Sequence, residues 1–140
     1  MIRVGYSSFL ADSSGMGEAA RRVLTALSLL DDVEVGPAIL KGGKRIISDG
    51  GWQVPITPAL KAFIDYDLSG PADVHMIHCA AMDFDKFRPP FMTAKRIGMT
   101  CVEVDRLHRI QIEGCKFVDQ VLVPSKHNQE VFERAGIATT

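Results

Sequence analysis

Apolar residues along the chain fall into short runs that alternate with longer stretches in which they recur every three or four positions. Ile2 to Ser7 is the first run and reads as a strand; a Ser/Gly-containing loop then leads to a helix beginning near Gly15. Ala20, Val23, Leu24, Leu27 and Leu30 share one face of that helix, and Asp31-Asp32 ends it. Val33 to Leu40 reads as a second strand. The stretch KGGKRIISDGGWQVP that follows has no period and predicts at most a small hairpin around Arg45 to Ser48. Thr57 caps a helix running to Asp67, with Pro58 in its first turn and Leu60, Phe63 and Ile64 facing inward. Gly70-Pro71 marks a turn, after which Asp73 to His78 forms a third strand. Phe84 to Thr93 carries Pro89-Pro90 and reads as an irregular segment with a short helical turn. Lys95 to Cys101 is a fourth strand. A helix over Asp105 to Phe117 follows, capped by Asp105, with Leu107, Ile110, Gly114 and Phe117 on one face. Gln120 to Val123 is a fifth strand ended by Pro124, and Ser125 caps a last helix whose inner face holds Val131, Phe132 and Ala135. Gly136 sits where a left-handed residue closes a helix, and Ile137 to Thr140 starts as another strand.

Strands alternating with helices predict an α/β fold. The expected architecture is a three-layer sandwich, a mostly parallel sheet of roughly five to seven strands with helices on both faces. At 140 residues the chain fits one domain, spanning residues 1–140. Apolar residues at 46% and charged residues at 24% suit a globular domain and argue against a disordered or repetitive chain. With 16 basic and 17 acidic side chains interspersed, the formal charge is -1, and no footprint for nucleic acid or an anionic membrane is present. No run reaches the ~20 apolar residues of a membrane span. The opening MIRVGYSSFLAD lacks a basic segment and a cleavage site, so it reads as a strand and not as a signal peptide. Cys79, Cys101 and Cys115 are widely spaced in apolar surroundings, which predicts reduced, buried thiols and a cytoplasmic protein. Their isolation from clustered histidines gives no zinc site.

In a parallel sheet the carboxyl ends of the strands face one crevice, and candidate chemistry belongs there. Gly15-Met16-Gly17 opens the first helix; two glycines let a ligand approach the backbone, and the helix start presents unpaired N–H groups to an anion. The same pair also serves simply as a tight turn into a helix. Gly15 to Ala20 matches the G-x-G-x-x-A dinucleotide fingerprint, but Ser8 to Ser14 separate it from the strand and no acid ends the second strand. A second group, Glu103, Asp105 and Arg106, projects from the end of the fourth strand, where Asp105 has an alternative role as a helix cap. His75 points into a face of the sheet and His78 ends at the crevice, where it serves as a ligand-facing or a purely structural histidine.

Three stretches, SSGMGEAARRVLTAL, KRIGMTCVEVDR and CKFVDQVLVPSKHNQEVFERAGI, together resemble the amino-terminal domain of family-4-like glycosyltransferases in order and spacing. The run from Asp119 to Ile137 is the most specific: a strand ending V-P-S, then a helix with Asn128, Phe132 and a closing Gly136-Ile137. The resemblance covers the chain apart from Lys41 to Val54. It implies a Rossmann-like domain of a GT-B enzyme, a retaining glycosyltransferase of hexosyltransferase type that needs no metal or other cofactor. Carried onto this chain, it implies that Gly15, Met16 and Gly17 lie by the donor phosphates or transferred sugar. Glu103 would be catalytic, with His78, Asp105 and Arg106 lining the cleft and Ser125 at its inner rim. Many relatives have a histidine where this chain has Cys101-Val102-Glu103. The carboxy-terminal donor-binding domain is absent from the sequence, so activity is expected only with a second lobe that binds the nucleotide-sugar. That lobe is expected either from a separately encoded partner protein or from the rest of a longer enzyme of which this is a fragment, and an unusually apolar cleft wall, covered in a homo-oligomer or heteromer, is expected with it; the acceptor is unknown. The alternatives are a non-catalytic sugar- or partner-binding module derived from such an enzyme and, third, a dinucleotide-binding oxidoreductase domain.

Overall fold

The computed structural model describes residues 1–38, 53–68, 71–87 and 95–140. Ten elements follow one another: β1 (Ile2–Ser8), α1 (Gly15–Ser28), β2 (Val33–Pro37), α2 (Pro58–Asp65), β3 (Val74–His78), a 3₁₀ helix (Ala81–Phe87), β4 (Lys95–Met99), α3 (Arg109–Cys115), β5 (Gln120–Leu122) and α4 (Lys126–Arg134). The five strands form one sheet in the order β2-β1-β3-β4-β5, and every pairing is parallel. This is the expected Rossmann-like α/β sandwich. The hairpin expected around residues 45–48, the end of the second strand at residues 39–40, Gly70 and the stretch 88–94 lie outside the described residues.

The register sorts side chains onto two faces. Tyr6 stands opposite Pro37 and Met76, so Tyr6, Val35 and Met76 share a face, over which α1 and α2 bring Ala20, Leu24, Leu60 and Phe63. Ile77 and Val121 belong to the other face, covered by the 3₁₀ helix, α3 and α4 through Phe84, Phe87, Cys115, Val131 and Phe132. Two glycines let the second layer close. A Cβ on Gly98 would meet the ring of Phe84, and one on Gly114 would overlap the carbonyl of Ala81, so the 3₁₀ helix lies in direct contact with both β4 and α3.

Caps decide where the helices start. Ser14, Thr57 and Ser125 each accept a hydrogen bond from a first-turn N–H of α1, α2 and α4, the latter two as the sequence predicts. α4 ends at Arg134 with Ala135 as its cap, and Gly136 follows with a left-handed φ of 78°. Beyond it, Val121 N–H donates to Ala138 and Val123 N–H to Thr140, so residues 138–140 form a parallel bridge beside β5.

Four expectations are corrected. α3 starts at Arg109 and not at Asp105: His108 caps it, and the Gln111 side chain accepts from the His108 N–H in a reciprocal box. With the start moved, Ile110 lies on the outer side and is exposed. Leu30 is exposed as well, because α1 ends at Ser28 before its face can return to the sheet. Cys101 is exposed past the end of β4, whereas Cys79 and Cys115 are buried. Among the described residues no helix is long and apolar enough to cross a membrane.

Candidate functional site at the carboxyl edge of the sheet

Ser8, His78, Met99 and Leu122 are level across β1, β3, β4 and β5. The turn into α1, the 3₁₀ helix, the segment 100–108 and the cap of α4 therefore all leave the sheet at one edge. β2 lies to one side of β1, while β4 and β5 lie beyond β3 on the other, so the chain departs in opposite directions from β1 and β3. A crevice opens at such a reversal. Its floor is closed by the loop after β1: Phe9 packs against one core cluster, with its ring 5.0 Å from that of Phe87, and Leu10 belongs to the other.

Within that loop the two glycines have different surroundings. A Cβ on Gly17 would overlap the Asp12 carbonyl oxygen, and the Gly17 N–H donates to Ser14 Oγ at 3.2 Å. The missing side chain of Gly17 thus makes room for the loop itself. A Cβ on Gly15 would meet none of the described residues within 4 Å beyond its own turn. The loop is held by residues that local pattern does not flag. Arg21 Nη1 donates to the carbonyls of Leu10 and Asp12, both at 2.8 Å, and Gln53 Oε1 accepts from the N–H and hydroxyl of Ser13. Arg21 recurs one turn after Gly17, which is the one sequence signal for it.

His78, the last residue of β3, is only 5% exposed. Its Nδ1 lies 2.8 Å from Tyr6 Oη, and Tyr6 Oη donates to the Ala20 carbonyl at 3.1 Å. Tyr6 has one hydroxyl proton. With that proton given to Ala20, the short contact requires Nδ1–H as donor, leaving Nε2 unprotonated. Burial lowers the His78 pKa to about 4, and burial, with Cys79 nearby, raises that of Tyr6, so both are neutral near pH 7. Ser8 Oγ donates to the His78 carbonyl at 2.6 Å, tying the two strand ends together. His75 faces the opposite side of the sheet near Gly5, with a pKa lowered by burial and Nδ1 unpartnered among the described residues.

After β4 the chain is pinned at Val102. Its N–H donates to Asn128 Oδ1 and its carbonyl accepts from Asn128 Nδ2, each at 2.9 Å. Glu103 is exposed and, among the described residues, has no hydrogen bond or ion pair. Asp105 points into solvent, its carboxylate 3.9 Å from His127 Nε2, and Arg106 turns toward the flank of α4. Ser125 caps α4 at the same edge. Among the described residues, Met82 and Val104 are large exposed apolar side chains beside these groups. A hollow of about 640 Å³ lies away from the rim in the seam between α1 and α2, floored by Leu24, Val35, Leu60 and Phe63.

Thus the edge of the sheet gathers Gly15, Met16, Gly17, His78, Glu103, Asp105, Arg106 and Ser125, with Tyr6, Ser8, Arg21 and Asn128 fixing the elements that carry them. No family model, curated protein or solved structure matches the chain.

Proposed function

We propose that the chain forms the acceptor-side wall of a GT-B sugar-transfer site whose opposite, nucleotide-sugar-binding wall is a second lobe. The observation that carries this reading is the open space over Gly15 at the same sheet edge as the segment holding Glu103. In this reading Gly15 and Met16 meet the donor phosphates or transferred sugar at the positive end of α1. Glu103, Asp105 and Arg106 line the acceptor side, with His78 a neutral group at the crevice and Ser125 at the inner rim. Arg21 is committed to Leu10, Asp12 and Glu18. Neutralising the charge of a leaving diphosphate, the largest electrostatic demand of the transfer, therefore falls to the second lobe.

The test is reconstitution. The chain, alone and joined to a nucleotide-sugar-binding lobe, is assayed for release of nucleoside diphosphate from UDP- and GDP-sugars over a panel of acceptors. Release is expected only with the lobe present. Gly15→Trp should lower it by about 100-fold, as misplacement of a bound group does, without moving the melting temperature. Full turnover in that variant would remove the glycine turn from the site. Gly17→Ala is a control of a different kind: its Cβ collides with backbone, so it should destabilise the fold by roughly 1–3 kcal/mol.

A second reading, a non-catalytic module that binds a sugar or a partner, is favoured by the lack, among the described residues, of a partner to orient Glu103. It predicts sugar binding with no release under any condition. Against a dinucleotide site, the Asp12 carbonyl fills the space over Gly17 where a pyrophosphate would approach, and β2 ends in Pro37 without an acid. Titration with NADH should leave its fluorescence unchanged.

A further inference from the structure

Between the segment that follows β4 and the flank of α4 lies a hollow of about 290 Å³. Leu107, Ile112, Val131 and Ala135 form an apolar floor, and the side chains of Arg106 and Arg134 stand at its walls. Among the described residues neither guanidinium has a carboxylate within ion-pair reach: Arg106 makes no hydrogen bond, and Arg134 donates only through Nε to the Glu130 carbonyl of its own helix. Two unpaired, weakly hydrated guanidiniums beside a hydrophobic floor present the forked donors that planar or tetrahedral anions accept. The volume is at the small end for ligand hollows and matches one ring or a short chain. Asp105 is the one acid on the lining, and its carboxylate projects into water, where its repulsion of an anion is screened.

We propose that this hollow binds a small soluble amphiphilic anion, a phosphate or carboxylate carried on a single apolar ring or short chain, with the anion held between Arg106 and Arg134 and the stem on Leu107 and Val131. The hollow shares Arg106 and Asp105 with the sugar-transfer reading but takes its second guanidinium and its floor from Arg134, Ile112 and Val131, which play no part in that reading, so binding here stands or falls separately from sugar transfer. The test is an NMR titration of the full chain with phenyl phosphate, benzoate, inorganic phosphate and phenol. Phenyl phosphate should saturate with shifts confined to residues 105–112 and 131–135, and bind at least about tenfold more tightly than inorganic phosphate or phenol, each of which offers only half of the recognition. Arg106→Ala and Arg134→Ala should each weaken it about tenfold, the loss of a charge-assisted hydrogen bond, while Asp105→Asn tightens it and melting temperatures stay constant. Equal affinity for inorganic phosphate, shifts centred on residues 15–18, or unaltered affinity in both arginine variants would overturn the proposal. So would binding to phosphatidic acid vesicles without binding to phenyl phosphate.

Discussion

At the scale of single residues, His78 has the largest consequence that pH can read. The strand pattern puts a polar side chain on the inner face of β3, and the fold accommodates it by aiming Nδ1 at Tyr6 and excluding water from most of the ring. The folded-state pKa is about 4, against roughly 6.5 in the unfolded chain. Between those values the unfolded chain binds a proton that the native state refuses, so stability is complete above about pH 6.5 and is lost as pH falls toward 4. The full effect is roughly 3 kcal/mol at about 1.4 kcal/mol for each unit of difference. His75, lowered by burial too, adds in the same direction. The shifted carboxyls Glu18, Glu113 and Asp119, held down by arginine or lysine partners, act at lower pH because their ordinary values are near 4. Urea unfolding from pH 7 to pH 4.5 should therefore show a decline that is markedly shallower in His78→Leu. An unaltered slope in the variant would mean that the native imidazole is not kept neutral.

At the scale of elements, what was legible was whatever the local sequence decides alone. Thr57 with Pro58 and Ser125 with Gly136 announce the boundaries of α2 and α4, and the apolar periods assign β1 and α1 to the sheet and its cover. α3 was misread because Asp105 has the chemistry of a cap, yet the chain stays extended past it. Asn128, far along the sequence, holds the Val102 peptide, and the helix waits for the His108 and Gln111 box. The same limit applies to the site. Two glycines before a helix are readable as a turn, but which of them faces solvent is settled by where residues 10–12 fold back, and that depends on Arg21 and Gln53. Asn128 illustrates how much one such contact carries. Asn128→Ala would leave the backbone N–H and carbonyl of buried Val102 unpaired, at about 1–3 kcal/mol each where water cannot replace the partner. A loss of roughly 2–4 kcal/mol in urea unfolding is expected, together with faster exchange of the Val102 amide. A loss close to zero would show that solvent reaches that peptide.

At the scale of the whole molecule, the two faces of the sheet are unequal. Among the described residues the cluster under the 3₁₀ helix, α3 and α4 contains eleven buried side chains, including Phe84, Phe87 and Phe132, whereas the one under α1 and α2 contains six. Burial of apolar area is the main stabilising contribution, so resistance to local opening should follow the larger cluster. The strand ends reinforce this difference. β5 is flanked by residues 138–140 through Val121 and Val123, and Asp119 pairs with both the backbone and the side chain of Arg96 at the start of β4; among the described residues β2 pairs with β1 alone. Native-state hydrogen exchange should then find the amides of β3, β4, β5 and α4 opening only near the global unfolding energy, and those of β2, α1 and α2 opening below it. The reverse order would sink the argument. The functional consequence is a division of the rim. Gly15 stands on the half that opens more easily and Glu103 to Arg106 on the half that does not, so mild denaturant should erase any ligand response at the glycine turn before it erases anion binding between Arg106 and Arg134.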